Sequence, residues 1–122
     1  MTIQTAIGLA DLTRPNAFEP ELKRFWLSHL DGQIQAELLE PHGRSADFTG
    51  YAADADPETT QLLVPWPFDD LYVRYLVMRI DLENGELERY NCDAAAFNRI
   101  YASWASWYTH HHMPQGVPAL RF

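Results

Sequence analysis

The chain has 122 residues, 47% of them hydrophobic and 13% aromatic, with 17 acidic against 9 basic side chains and a net charge of −8. That suffices for one domain with one modest core and is globular rather than disordered in composition. The acidic balance repels phosphate, which excludes a general binder of DNA or of anionic membrane, and the single cysteine, Cys92, excludes an intrachain disulfide or a cysteine-based zinc site.

The opening residues lack the basic start of a secretory leader. No apolar run approaches the ~20 residues that span a bilayer, so a cytosolic product without membrane contact is expected. The first helix is predicted over 2–12. Ile3, Ala6, Ile7 and Ala10 share one face of a 3.6-residue period. Thr2 is its predicted N-cap, and Pro15 ends it by pushing Arg14 out of the helical region.

The second helix is predicted over 20–40. Pro20 fits the first turn, where its missing N–H costs nothing, and Glu19 and Glu21 lie at the positive end of the dipole. Leu22, Phe25, Trp26, Leu30, Ile34 and Leu38 follow the helical period. Gly32 weakens the interior by roughly 1 kcal/mol relative to Ala, which a close helix crossing would explain. Pro41 and Gly43 stop the helix.

Residues 41–67 are irregular, with Gly43, Gly50, Pro57, Pro65 and Pro67 among them. The stretches 48–51 and 61–64 are candidate strands of a short β-hairpin. A loop this long in a compact domain is usually functional or mobile, so a partner contact is expected here.

The third helix is predicted over 69–83. It is apolar on most sides: Leu71, Tyr75, Met78 and Leu82 form one stripe, Val73, Val77 and Ile80 a second, Tyr72 and Leu76 a third. Its polar seam carries Asp70–Arg74 and Arg79–Glu83 at the i,i+4 spacing of ion pairs. Such a helix must be covered on most sides, as the central helix of the domain or by facing another subunit as well. Asn84-Gly85 closes it, Gly85 taking the left-handed conformation. The fourth helix is predicted over 93–111 with Asp93 as its cap, after a turn or short helical extension at 86–91. Phe97, Ile100, Tyr101, Trp104, Trp107 and Tyr108 make an aromatic stripe at helical spacing. Residues 113–122 read as an extended arm. The expected fold is therefore mainly α: a single domain, 1–122, of about four helices with a long loop between the second and third.

Chemistry-bearing patterns are few. His110, His111 and His112 are adjacent, and consecutive helical residues point about 100° apart, so they do not converge on one metal; the HExxH spacing is absent. Asp81, Glu83, Glu86 and Glu88 lie around a helix end and read as a charged surface. Cys92 has no histidine near it in sequence. No glycine-rich phosphate loop or nucleophile elbow occurs. The expectation is a non-enzyme without cofactor or metal. The aromatic side chains Trp26, Trp66, Phe68, Tyr72, Tyr75, Tyr90, Phe97, Tyr101, Trp104, Trp107 and Tyr108 are the candidates for core or subunit interface.

One set of residues runs through most of the chain. It begins with Pro15-Asn16-Ala17-Phe18, Lys23 and Trp26-Leu27, then Leu62-Leu63-Val64-Pro65, Pro67-Phe68-Asp69 and Leu71-Tyr72. It continues through Tyr75-Leu76, Ile80-Asp81, Asn84-Gly85-Glu86, Tyr90-Asn91 and Phe97-Asn98 to His112-Met113-Pro114. In this order the chain resembles the small head–tail connector (adaptor, or neck) proteins of tailed bacteriophages and prophages; Trp66 and Cys92 depart from the family's pattern. The resemblance implies a mainly helical subunit, monomeric until the portal recruits it, that forms a ring of about a dozen copies beneath the portal protein. Such a ring extends the DNA channel and receives the next neck or tail component. It implies a place at the head–tail junction of the virion, reached from the bacterial cytoplasm, with DNA passing nearby and not specifically bound. Two other readings stay open: a small soluble phage or host module that binds a protein partner, and a metal-dependent enzyme using the histidines and acids.

Overall fold

The computed structural model describes residues 1–42 and 48–111, which form four α-helices. They are α1 (Ile3–Thr13), α2 (Pro20–Ile34) with a π-helical continuation (Gln35–Leu39), α3 (Asp70–Glu83) and α4 (Leu87–His111). Gly43, His112 and the arm expected at 113–122 lie outside the described residues.

The first helix starts as its sequence indicates. Thr2 is extended and its hydroxyl accepts from the Thr5 N–H. Two further N–H groups of that turn, which no helical carbonyl can reach, are met by the loop: Ile3 donates to the Thr60 carbonyl at 3.1 Å and Gln4 to that of Pro57 at 2.9 Å. The expected hairpin is not there. Among the described residues no strand forms; 48–51 and 61–64 are irregular, and a lone antiparallel bridge joins Thr2 to Gln61. Within 57–62, two carbonyls cap α1, the N–H groups of Thr59 and Thr60 turn back to the Asp56 carbonyl and that of Leu62 donates to the Met1 carbonyl, in place of a strand ladder.

α3 is the central helix, packing against α1, α2 and α4. Leu71, Tyr72, Val73, Leu76, Val77 and Ile80 are buried. Around them lie Ile3, Ala6, Ile7 and Ala10 of α1, Trp26, Leu27, Leu30 and Ile34 of α2, and Trp104 and Tyr108 of α4, with Leu62 and Val64 of the loop closing the top. At ~1.5–3 kcal/mol per fully buried large apolar side chain, this cluster is the main stabilising element. The surplus apolar surface of α3 is thus covered within one chain, though Leu82 stays exposed and Tyr75, on the same stripe, is half-buried.

Met1 N lies 3.5 Å from Asp69 Oδ2, and Arg14 meets Asp81 at the far end of α3, so α1 and α3 run side by side in one direction. α2 runs against them: its Lys23 meets Asp11 late in α1, and its Asp31 meets Tyr72 early in α3. At the end of α3, Gly85 has φ +74°. Its N–H donates to the Leu82 carbonyl and that of Glu86 to Asp81, the paired bonds that close a helix through a left-handed residue.

Three expectations need correction. α4 begins at Leu87, not at 93: of the two readings of 86–91 the helical extension holds, continuous with α4, because 87–92 contains no Gly or Pro to delay it after the Gly85 turn. Asp93 is therefore inside the helix and caps nothing; its side chain points to Arg14. Asp81, grouped by sequence with a charged surface, is almost completely buried. Gly32 marks no helix crossing, since a Cβ built on it meets nothing within 4 Å. With a free site in a helix interior, Gly32→Ala is expected to stabilise the protein by about 0.5–1 kcal/mol, read as a higher urea midpoint at unchanged slope. A loss of stability would restore the crossing.

Candidate functional site

The aromatic candidates separate by depth. Tyr72, Trp26 and Trp104 are fully buried and Tyr108 nearly so. Trp26 packs edge-on to Phe18 at 5.9 Å between centroids, and the Arg79 guanidinium lies 4.9 Å from its ring. These four hold the bundle together and are not available to a partner. Phe68, Tyr75, Tyr90, Phe97 and Tyr101 are half-buried. Tyr75, Phe97, Tyr101, Trp104 and Tyr108 run as one series of ring contacts, 5.3–6.2 Å between successive centroids, from the middle of α3 along α4.

Two candidates reach the surface: Trp66 is 81% exposed and Trp107 41%. Phe68 lies 5.8 Å from Trp107, which also stacks on His111 at 4.2 Å. Trp66 and Phe68 belong to a turn just before α3, closed by the bond from Phe68 N to the Pro65 carbonyl; the Trp66–Pro67 peptide is cis. Large exposed aromatic rings are enriched at interaction surfaces, and among the candidates Trp66 and Trp107 are the two that fit this description. The described histidines add no metal site there. The Nδ1 atoms of His110 and His111 each lie 2.7 Å from the carbonyl one turn back, on Ser106 and Trp107. Among the described residues, no three His, Cys, Asp or Glu side chains converge as a metal site. Cys92 is exposed.

A long groove lies along α2 against residues 48–53, in two adjoining hollows of about 420 and 280 Å³ that share Ser28, His29, Thr49 and Gly50. Several of its lining groups are engaged by the fold: Ser28 Oγ accepts from the Tyr51 N–H at 3.0 Å, Arg24 donates to the Ala53 carbonyl though its Nε is left without a partner, and His29 packs on Phe25 with 4.3 Å between rings. Gly50 has φ +110°, which only glycine adopts at low cost.

The polar residues that fix this architecture were not evident as such from the sequence. Asp31, fully buried, accepts hydrogen bonds from Tyr72 Oη at 2.6 Å, from Tyr51 Oη and from the Leu63 N–H at 3.2 Å. Tyr72 Oη in turn accepts from the Val64 N–H at 2.7 Å. This network ties both arms of the loop to α2 and α3. It drives the Tyr72 hydroxyl far above the usual phenol range, first by burial and then by the negative charge of Asp31. Lys23, also buried, is held by Asp11 at 2.7 Å, and Asn16 donates to the same carboxylate. The signal for Asp31 was its spacing: with Leu27, Leu30 and Ile34 it occupies the inward stripe of α2, where an acid needs partners.

No described helix is long and apolar enough to cross a membrane. Compared with protein-family models, with curated proteins and with solved structures, the chain matches none.

Proposed function

We propose that this chain is a structural subunit of the head–tail connector of a tailed bacteriophage or prophage, bound below the portal protein and assembled into a ring that lengthens the DNA channel. The observation that carries this reading is the ordered set of residues from Pro15 to Pro114 that resembles that family. Many of these side chains have structural work: Asn16 braces the α1–α2 turn, Lys23 is buried, Tyr72 anchors the loop and Gly85 closes α3. The pattern is therefore one of architecture, as befits a subunit whose role is contact.

The exposed rings of Trp66 and Trp107 are the contacts this reading would use, toward the portal or the neighbouring subunit. A charge of −8 suits a channel wall, because like-charge repulsion lets DNA pass without adhering. The chain serves in the virion, after assembly in the bacterial cytoplasm, and does no catalysis. The test mixes purified protein with portal rings from the same phage locus and images the mixture by negative stain. Rings or capped portals are expected for the wild type, and loss of capping without loss of fold for Trp66→Ala. A defined small oligomer that ignores portal would favour a soluble module with another protein partner.

A further inference from the structure

Where α1, α3 and α4 meet, two carboxylates face one guanidinium. Arg14 Nε donates to Asp81 Oδ2 at 3.1 Å, and another guanidinium nitrogen of Arg14 stands 3.7 Å from Asp93 Oδ1. The side chains of Asp81 and Asp93 are 1% and 14% exposed. Asp93 Oδ2 is buried and has no hydrogen-bond partner while both acids are ionised. A carboxylate oxygen stripped of water with nothing in its place is costly, and two like charges that share a site resist ionising together. One proton between the two carboxyls relieves both costs, turning the orphaned oxygen into half of a hydrogen bond.

We propose that Asp81 and Asp93 form a proton-sharing joint between α3 and α4, so that the first turns of α4 dock more tightly as the solution becomes acidic and loosen toward neutral pH. The surrounding charges leave the joint in deficit. Arg14 from the end of α1 and Arg74 of α3 favour ionisation, but Arg74 is also engaged with Asp70 at 3.3 Å, and Lys23 of α2 is taken up by Asp11. On α4 itself, Arg89 one turn earlier is exposed. In keeping with the geometry, burial, followed by the hydrogen bond to and the charge of Asp81, pushes the Asp93 carboxyl up to about 6 from 3.8.

The sign follows from this. The folded chain holds a proton that the unfolded chain has already released, so the joint's stabilisation is fully present below about pH 4 and is lost as the pH rises through about 6. Between pH 7 and pH 5 the folding constant is expected to rise severalfold, at most about tenfold.

The test follows the side-chain carboxyl ¹³C signals of the wild type through a pH titration. It also compares melting at pH 7.5 and pH 5 for the wild type, Asp93→Asn and the exposed control Glu88→Gln. Relief of the net charge of −8 on acidification acts on all three, so the control removes it. The expected result is an Asp93 midpoint near 6, with a gain on acidification that Glu88→Gln keeps and Asp93→Asn largely loses. Amide protection over the first turns of α4, corrected for intrinsic exchange, should rise with that gain. An Asp93 midpoint near 4, or equal pH responses in the two variants, overturns the proposal. If Asp93→Asn does not fold, the wild-type titration decides alone.

Discussion

Asp31→Ala is expected to remove about 3–5 kcal/mol of stability, the range for deleting one partner of a buried charged network, and so to leave little folded protein at 37 °C if the whole is of ordinary stability. Three donors lose their acceptor at once: the hydroxyls of Tyr72 and Tyr51 and the N–H of Leu63. Tyr72 is fully buried and its hydroxyl has no access to water, while Tyr51 and Leu63 are half-buried. Tyr72→Phe is the graded companion. It removes one donor to Asp31 and the acceptor of the Val64 N–H, but keeps the ring in the core; about 1–3 kcal/mol is expected. Urea unfolding followed by far-UV circular dichroism measures both. A loss under 1 kcal/mol for Asp31→Ala would mean that the loop is not anchored through this carboxylate.

The second large effect is expected at Trp104. Its ring is fully enclosed between Tyr101 and Tyr108 on the face of α4 that meets α3, so truncation to Ala leaves a cavity and costs about 3–5 kcal/mol. Its indole N–H is buried without a hydrogen-bond partner. Trp104→Phe is therefore expected to lose less than its reduction in volume suggests, since the unsatisfied donor leaves with the indole. Three residues along the same helix, Trp107→Ala removes a ring that is 41% exposed and touches only the rim. A change below about 1 kcal/mol is expected there. Equal losses at the two positions would show that the outer rings belong to the core, and would remove them from the proposed contact surface.

These two experiments bear on different parts of the proposed role. Asp31 and Trp104 hold the subunit together, and their loss would abolish ring formation only by unfolding. Trp66 and Trp107 are exposed, so a defect in portal capping from their removal, with the fold intact by circular dichroism, reports on contact alone.

Much of the backbone was legible from local signals. Thr2 bonds the first turn of α1, Pro20 opens α2, Gly85 closes α3, and the pairs Asp70–Arg74 and Arg79–Glu83 form as their spacing indicates. Each depends on residues within one or two turns, so the interaction is already written in the order of the chain. The start of α4 was misread because Asp93 is a good cap by type, and nothing local shows that Arg14, 79 residues earlier, will claim it. The hairpin was misread because 48–51 and 61–64 have strand-like composition, whereas the N–H groups at the start of α1 claim the carbonyls of Pro57 and Thr60.

By itself the sequence determined a mainly helical chain, the four helices among its described residues, and the surplus of apolar surface on α3 that requires neighbours. These follow from periodicity and from chain breakers. Only the tertiary structure decided which neighbours cover α3, which tryptophans are core and which are surface, and that an aspartate in the inward stripe of α2 anchors the loop. Those outcomes depend on pairs such as Asp31 with Tyr72 and Arg14 with Asp81, 41 and 67 residues apart. Burial makes such pairings obligatory, because a polar group shut away from water must take whichever partner the packing brings within reach.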